Sequence, residues 1–197
     1  MDPTECGTMC SALKCQKTGC SGAVLPPESV VTGYQGPWSC QACSTTMDHR
    51  KVVTIQNCGS QLVHMREATV DGTISVLEKL QTWFHPSHYI LNDVKMSIIK
   101  EWGDKIPFQS LSKENLEMKL LFCEELEKVV EVLEGSLSRT KGFINISYLK
   151  TLDFMKLNDI MIKADRVKKV NNRKKELLEI FRNDYGVPEH FNSFTSI

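Results

Sequence analysis

The sequence contains no apolar segment as long as the roughly 20 consecutive residues that a helix needs to cross a bilayer. The opening residues Met1-Asp2-Pro3-Thr4-Glu5-Cys6 lack the basic and apolar regions of a signal peptide. Net charge is also absent, because 24 Lys and Arg balance 24 Asp and Glu. A neutral chain gives no electrostatic reason to expect nucleic acid or a membrane as partner. We therefore expect an intracellular protein, in the nucleus, the cytoplasm or both.

Sequence motifs that support catalysis are missing too. The chain has no Gly-rich phosphate loop, no G-x-S-x-G elbow and no H-E-x-x-H helix. Glu124, Glu125 and Glu127 are expected on the solvated side of a helix, and His85 and His88 are expected to start a helix rather than bind a metal. We predict no catalytic and no cofactor-binding residue in this chain.

Cysteine is the residue type that the sequence has in excess. In a reducing compartment disulfides are rare, so eight cysteines call for another role. The segment from Ser21 to Pro37 is rich in Gly, Pro and Ser and cannot fold on apolar contacts alone. Six of the cysteines lie in the first 43 residues: Cys6, Cys10, Cys15, Cys20, Cys40 and Cys43.

Two close cysteine pairs predict a metal site. Four residues separate Cys15 from Cys20, two separate Cys40 from Cys43, and 19 lie between the pairs. Structural Zn²⁺ takes four tetrahedral ligands, which two such pairs can supply. We predict structural zinc at these four cysteines. The alternatives are buried free thiols, which the polar surroundings disfavour, and a redox pair Cys40-Gln41-Ala42-Cys43, which lacks the strand–turn–helix setting of such motifs.

The other four cysteines have no clear pattern. For Cys6 and Cys10 three interpretations stay open: both are ordinary small residues, they replace a ligand of the two close pairs, or they complete a second site with groups outside this chain. Cys58 and Cys123 fall within helical patterns and are predicted to be core or surface thiols.

From about His49 onward, apolar residues recur at helical spacing and proline nearly vanishes. Thr73 and Ser112 are predicted N-caps, and Gly135 a helix end. The basic stretch from Lys163 to Lys175 is predicted to be a solvated helix face, with contact to phosphate or an acidic peptide as the alternative. Five or six helices are predicted, near Val52–Ala68, Thr73–Phe84, Pro86–Trp102, Ser112–Gly135, Ser138–Met155 and Ile160–Asn183, the last stopped by Gly186 and Pro188.

These patterns together predict a mainly α protein. A small Cys-rich, zinc-ribbon-like module at residues 1–48 precedes an all-helical domain at residues 49–197. Short loops between the helices indicate helical hairpins of the tetratricopeptide (TPR-like) type, although no clean repeat at the tetratricopeptide period of about 34 residues is present.

A series of short motifs runs along nearly the whole chain. Their order and spacing resemble the C-terminal half of the SET-and-MYND-domain (SMYD) proteins, in particular the arthropod SmydA group. The motifs are Asp2-Pro3-Thr4-Glu5, Gly7-Thr8, Ser11-Ala12-Leu13-Lys14-Cys15, Cys20, Val24-Leu25-Pro26, Trp38-Ser39-Cys40-Gln41-Ala42-Cys43, His85-Pro86-Ser87-His88-Tyr89 and Leu137-Ser138-Arg139-Thr140-Lys141-Gly142.

The resemblance implies that an intact relative is a protein-lysine methyltransferase that uses S-adenosylmethionine and acts on histones or other proteins. It implies a helical domain that walls the substrate cleft and binds protein partners. This chain departs from the pattern, because the SET core, the MYND cysteines and the post-SET C-x-C-x2-C motif are all absent. No S-adenosylmethionine site therefore carries over. Only Cys15, Cys20, Cys40 and Cys43 do, as candidate zinc ligands.

We therefore expect a non-catalytic, zinc-binding and helical interaction region whose partner is a protein or peptide, such as a histone or chromatin protein. One alternative is a truncated methyltransferase whose SET domain lies upstream. Another is a stand-alone structural zinc protein unrelated to methylation.

Overall fold

A computed structural model describes residues 5–27 and 35–182. The chain divides into two compact units, Met1–Val94 and Lys95–Ile197. The domain boundary expected between residues 48 and 49 stays a prediction, and the first unit contains two complete helices and the beginning of a third in addition to the cysteine-rich segment. Three predicted features lie wholly or partly outside the described residues: the start of the motif Asp2-Pro3-Thr4-Glu5, residues 28–34 of the Gly-, Pro- and Ser-rich segment, and the helix stop at Gly186 and Pro188.

The first unit opens with a small antiparallel sheet. Its strands follow one another in the order β1-β2-β3-β4, so neighbours in sequence are neighbours in space. Leu13 pairs with Val24, Val24 with Cys40, and Trp38 with Met47. The strands are β1 Leu13–Lys14, β2 Ala23–Leu25, β3 Trp38–Cys40 and β4 Thr46–Met47.

Six α-helices follow in the described part of the chain, and each lies close to a predicted one. Side chains cap four of them. Among these, the hydroxyls of Ser112 and Ser138 accept from the N–H groups of Asn115 and Lys141. Gly135 ends a helix with a positive φ of 89°, as glycine at that position commonly does. The helices are α1 His49–His64, α2 Val70–Gln81, α3 Tyr89–Glu101, α4 Lys113–Glu134, α5 Arg139–Leu157 and α6 Ala164–Phe181.

The start of α2 differs from the prediction. Thr69, not Thr73, is its N-cap, and the Thr69 hydroxyl accepts from the N–H of Gly72 at 3.1 Å. Gly72, the residue before the predicted cap, lies in the first helical turn, where an added Cβ would come within 2.8 Å of the Glu67 side chain. Thr73 is buried inside the helix and bonds the Thr69 carbonyl.

Backbone hydrogen bonds fix the sheet to the α2–α3 connection of the same unit. The N–H of Lys14 donates to the carbonyl of Trp83, and the N–H of His85 donates to the carbonyl of Ala12. The N–H of Tyr89, the first residue of α3, donates to the carbonyl of Cys10. The sheet therefore folds as part of a larger body.

Helices α4, α5 and α6 of the second unit are each antiparallel to the next one in the sequence. The start of α5 contacts the end of α4 through Lys141 and Glu131, and Tyr148, further along α5, contacts the earlier Glu124, so these helices are antiparallel. In the same way Gly142 lies against Phe181 near the end of α6. Two helical hairpins thus share α5. The mainly α fold with an N-terminal cysteine module is confirmed, whereas the tetratricopeptide likeness stays a prediction.

Every helix between residues 5 and 182 that the structure describes is too short or too polar to span a bilayer.

Candidate metal centre

The sheet brings the four predicted ligands to two adjacent turns. Cys15 directly follows β1 and Cys20 precedes β2, so the first pair brackets the β1–β2 turn. Cys40 is the last residue of β3, and Cys43 lies in the turn before β4. Because β2 pairs with β3, the two turns lie side by side at one end of the sheet.

The four sulfur atoms form a compact cluster. All of them lie within 4.8 Å of one another. The Sγ atoms of Cys15 and Cys43 are 3.7 Å apart, and so are those of Cys20 and Cys40. A tetrahedron with the usual Zn–S length of about 2.3 Å has edges of about 3.8 Å. Two opposite edges of the cluster therefore already have the length that zinc would impose.

Backbone amides point at the sulfur atoms. The N–H groups of Lys17, Gly22 and Ala42 approach the Sγ atoms of Cys15, Cys20 and Cys40, each two residues earlier, at 3.4–3.5 Å. Such bonds stabilise the negative charge of metal-bound thiolates and fix the orientation of the ligands.

The two turns approach each other so closely that one position requires glycine. A Cβ added at Gly22 would lie 2.6 Å from Cys40 Sγ and 2.7 Å from Ala42 Cβ. A side chain at this position would push the two pairs apart, so Gly22 is part of the construction of the site.

The pKa values of two of the thiols, Cys43 and Cys15, shift in opposite directions. Hydrogen bonds to the side chain and backbone of Thr45 lower the pKa of Cys43 to about 6. The N–H of Lys17 lowers the pKa of Cys15, but burial and the neighbouring thiols outweigh it and raise that pKa to about 12. Without a cation, the Cys15 thiol therefore stays protonated at neutral pH. A divalent metal would supply the missing positive charge.

This arrangement fits a structural metal ion better than a reactive one. Four protein sulfurs fill the tetrahedral coordination of zinc and leave no position for water or substrate. Among the described residues this is the only group of three or more Cys, His, Asp or Glu side chains placed to hold a metal. Neither Cys6 nor Cys10 belongs to it. Cys58 is exposed in α1 and Cys123 is buried in α4.

His88 starts a helix, as predicted. Its Nδ1 accepts from the N–H of Ile90 at 3.2 Å, in the first turn of α3. The ring is fully buried and packs on Phe84 at 4.2 Å and on Tyr89 at 4.5 Å between ring centroids. Burial, and then the nearby His85, lower the pKa of His88 to about 3. The side chain is therefore neutral at physiological pH.

The prediction of solvated charge on α4 and α6 was wrong for several residues. Arg166 and Arg173 of α6 are 5% and 4% exposed. Arg166 pairs with Glu117 and Glu124 of α4, and Arg173 pairs with Glu127. Helical periodicity missed this network because it assigns charged residues to solvent, and the partners are more than 40 residues apart in sequence. Lysines of the same stretch, such as Lys168 and Lys175, are exposed as predicted.

Comparison with known proteins identifies two related sequences. A stretch of 101 residues, 50% of this chain, is 33% identical to the SET domain-containing protein SmydA-8, isoform B, of Drosophila melanogaster and covers 22% of that protein. Isoform A of the same protein is 32% identical over 101 residues, 50% of this chain and 21% of its own length. No family model matches the chain. The chain is thus homologous over half its length to a SET domain-containing protein, and the match spans about a fifth of these relatives.

Proposed function

We propose that this chain is the non-catalytic, zinc-binding and helical protein-interaction region of a SMYD-like protein, and that Cys15, Cys20, Cys40 and Cys43 hold one structural Zn²⁺. The observation that carries the proposal is the four-sulfur cluster with its 3.7 Å edges. Homology to a SET domain-containing protein supports the family assignment. The proposal also says that the chain corresponds to the C-terminal part of such proteins and lacks a SET core of its own.

Zinc would act on folding rather than on chemistry. The strands of the module are only two or three residues long, and their local apolar cluster consists of Ala12, Ala23 and Leu25 with Met9 against it. A module this small needs a metal or an equivalent crosslink to stay folded. The Zn²⁺ would join the β1–β2 and β3–β4 turns and hold the sheet closed.

The interaction role is supported by the end of the α4–α5 hairpin. Val132 and Leu133 in the last turn of α4, and Leu137 in the connection, are 53%, 59% and 51% exposed. Neighbouring exposed apolar side chains of this kind mark protein contacts. A protein or peptide partner, with histones and chromatin proteins as the family candidates, therefore fits better than nucleic acid or membrane. Placement in the nucleus or cytoplasm stays a prediction.

Metal content tests the central claim. The full chain, purified after expression with zinc, should carry one Zn²⁺ by native mass spectrometry. Loss of a residue that only hydrogen-bonds a metal ligand weakens metal affinity about 10- to 100-fold. Cys20→Ser removes a ligand itself and should therefore weaken zinc binding by more than this. Cys58→Ser, which changes an exposed thiol of α1, is the matched control and should keep full occupancy. A wild-type chain without metal, or a Cys20→Ser variant that binds zinc normally, would contradict the proposal.

A second candidate is that the chain is one part of an S-adenosylmethionine-dependent protein-lysine methyltransferase whose SET domain lies upstream. The observation in its favour is that the homologous stretch spans only 22% of a SET domain-containing relative. Antibodies against α6, followed by intact mass measurement of the native protein, distinguish the two. A product much larger than 22.4 kDa supports the methyltransferase, and a product of 22.4 kDa supports binding without catalysis.

A further inference from the structure

The second unit contains a cavity that the metal centre does not explain. Its volume is about 400 Å³, within the range of small-ligand sites. The apolar part of the lining comes from α3, the α3–α4 connection and α5. It consists of Met96, Ile99, Trp102, Phe108, Phe143 and Ile146.

Charged groups in the lining are mostly positive. Three lysines, Lys100, Lys119 and Lys150, face a single acidic residue, Asp104. Asp104 is already paired, since its carboxylate lies 3.1 Å from Lys150 Nζ. The walls therefore carry an excess of positive charge over an apolar surface.

Lys119 is the unusual member of this group. The residue is 2% exposed, yet its ammonium has no carboxylate within ion-pair distance among residues 5–27 and 35–182. Its contacts are one hydrogen bond to the carbonyl of Trp102 and the face of the Phe108 ring, 4.9 Å from Nζ to the centroid. A buried ammonium ordinarily has an anionic partner, because burial without one is costly.

The missing partner is best supplied by a ligand. We propose that this cavity binds a small carboxylate with an aromatic or alkyl body, and that Lys119 is the counter-ion of its carboxylate. The apolar body would pack against Trp102, Phe108 and Phe143, while Lys100, which is exposed, and Lys150 add positive charge. A carboxylate fits better than an uncharged ligand, which would leave the ammonium unpaired.

The protonation state of Lys119 agrees with this role. Burial lowers its pKa to about 8, against a smaller opposing effect of Cys123 and Asp104, while Lys150 lowers it further. The Lys119 amine is therefore mostly protonated at neutral pH, although burial leaves it poorly solvated. The Lys119 ammonium is already desolvated before an anion enters the cavity, which strengthens the electrostatic attraction between the two.

The test uses the full chain and isothermal titration calorimetry with two probes of the same shape, naphthalene-2-carboxylate and naphthalene-2-carboxamide. The wild type should bind the carboxylate about tenfold or more tightly than the amide. Lys119→Met should weaken carboxylate binding by about 30-fold or more. The same change should leave amide binding within about threefold, because Met preserves the apolar wall. Lys156→Met, an exposed lysine later in α5, is the matched control and should change neither.

A second variant keeps the test decisive if Lys119→Met does not fold. Met96→Trp fills the cavity from α3, keeps Lys119, and should abolish binding of both probes. Equal affinity of the wild type for carboxylate and amide would overturn the proposal. Unchanged carboxylate binding in Lys119→Met would overturn it too. So would tighter binding of a peptide with a C-terminal Phe than of naphthalene-2-carboxylate, because that result would indicate a protein partner instead of a small carboxylate.

Discussion

The buried ion pairs between α4 and α6 give a quantitative prediction for the second unit. Arg173 is 4% exposed, pairs with Glu127, donates to the Asn145 side-chain oxygen and lies 4.1 Å above the Tyr148 ring. Arg173→Met removes all the polar contacts but keeps an apolar stem of similar length. The change therefore isolates the charge from the packing.

The magnitude follows from the groups left without partners. Asn145 is fully buried, so an unpaired side-chain oxygen there costs about 1–3 kcal/mol. Loss of a buried ion partner costs about 3–5 kcal/mol. The carboxylate of Glu127 should fall below that range, because its side chain is 18% exposed and Lys141 Nζ lies 3.8 Å away. Arg173 Nε is buried without a hydrogen-bond partner among the described residues, so its removal offsets about 1 kcal/mol of this loss. We expect a net loss of about 3 kcal/mol in the free energy of unfolding.

Urea unfolding followed by far-ultraviolet circular dichroism measures this loss. Lys175→Met is the control, because Lys175 lies in the same helix but is exposed, and its effect should stay within about 0.5 kcal/mol. In a double-mutant cycle with Glu127→Gln, the combined loss should be smaller than the sum of the single losses, since both changes remove the same pair. If Arg173→Met costs less than about 1 kcal/mol, or no more than Lys175→Met, the network does not stabilise the hairpins as argued.

Two further predictions concern the first unit. His88 has a pKa of about 3 in the folded chain against about 6.5 unfolded, so its contribution to stability is complete above about pH 6.5 and decreases as the pH falls toward 3. His88→Asn keeps a hydrogen-bond acceptor at the helix start but does not titrate. Between pH 6.5 and about 4.5 the free energy of unfolding of the wild type should therefore fall by about 2–3 kcal/mol more than that of the variant. Parallel pH profiles of the two proteins would refute this. Gly59→Ala should destabilise the chain by about 1–2 kcal/mol in thermal or urea unfolding, because overpacking outweighs a gain of about 1 kcal/mol in helix propensity. The new Cβ would lie 2.5 Å from the buried Phe84 ring, and a stabilised variant would show that the ring moves freely.

Local signals in the sequence predicted most of the fold. The spacing of apolar residues located all six described helices, and Ser112, Ser138 and Gly135 mark helix ends where a hydroxyl or a glycine is needed. The Thr69 cap was missed, and the predicted cap at Thr73 lies one helical turn further along the chain. The turn before α2 brings Glu67 so close to Gly72 that an added Cβ would clash, and the spacing of apolar residues gives no sign of this close approach.

The functional residues also include some that the sequence predicts and one that it does not. Pairs of cysteines at ligand spacing are a local pattern, so Cys15, Cys20, Cys40 and Cys43 could be named from the sequence, and the fold brings their sulfurs together. No local pattern indicates that Lys119 is buried beside Phe108. Lysine at that position of α4 looks like surface charge, and the residues that contact its buried ammonium, Trp102 and Phe108, lie in the α3–α4 connection.

Metal binding and packing should depend on each other in the first unit. Strands of two or three residues do not form a stable sheet alone. The sheet is held at one end by the four-cysteine cluster and along β1 by backbone bonds to Trp83 and His85. Zinc loss would free the two turns, and strand β1 would then be held only by its bonds to the α2–α3 connection. A weakened connection should in turn lower zinc affinity, because unfolded cysteines must be brought together before they can bind.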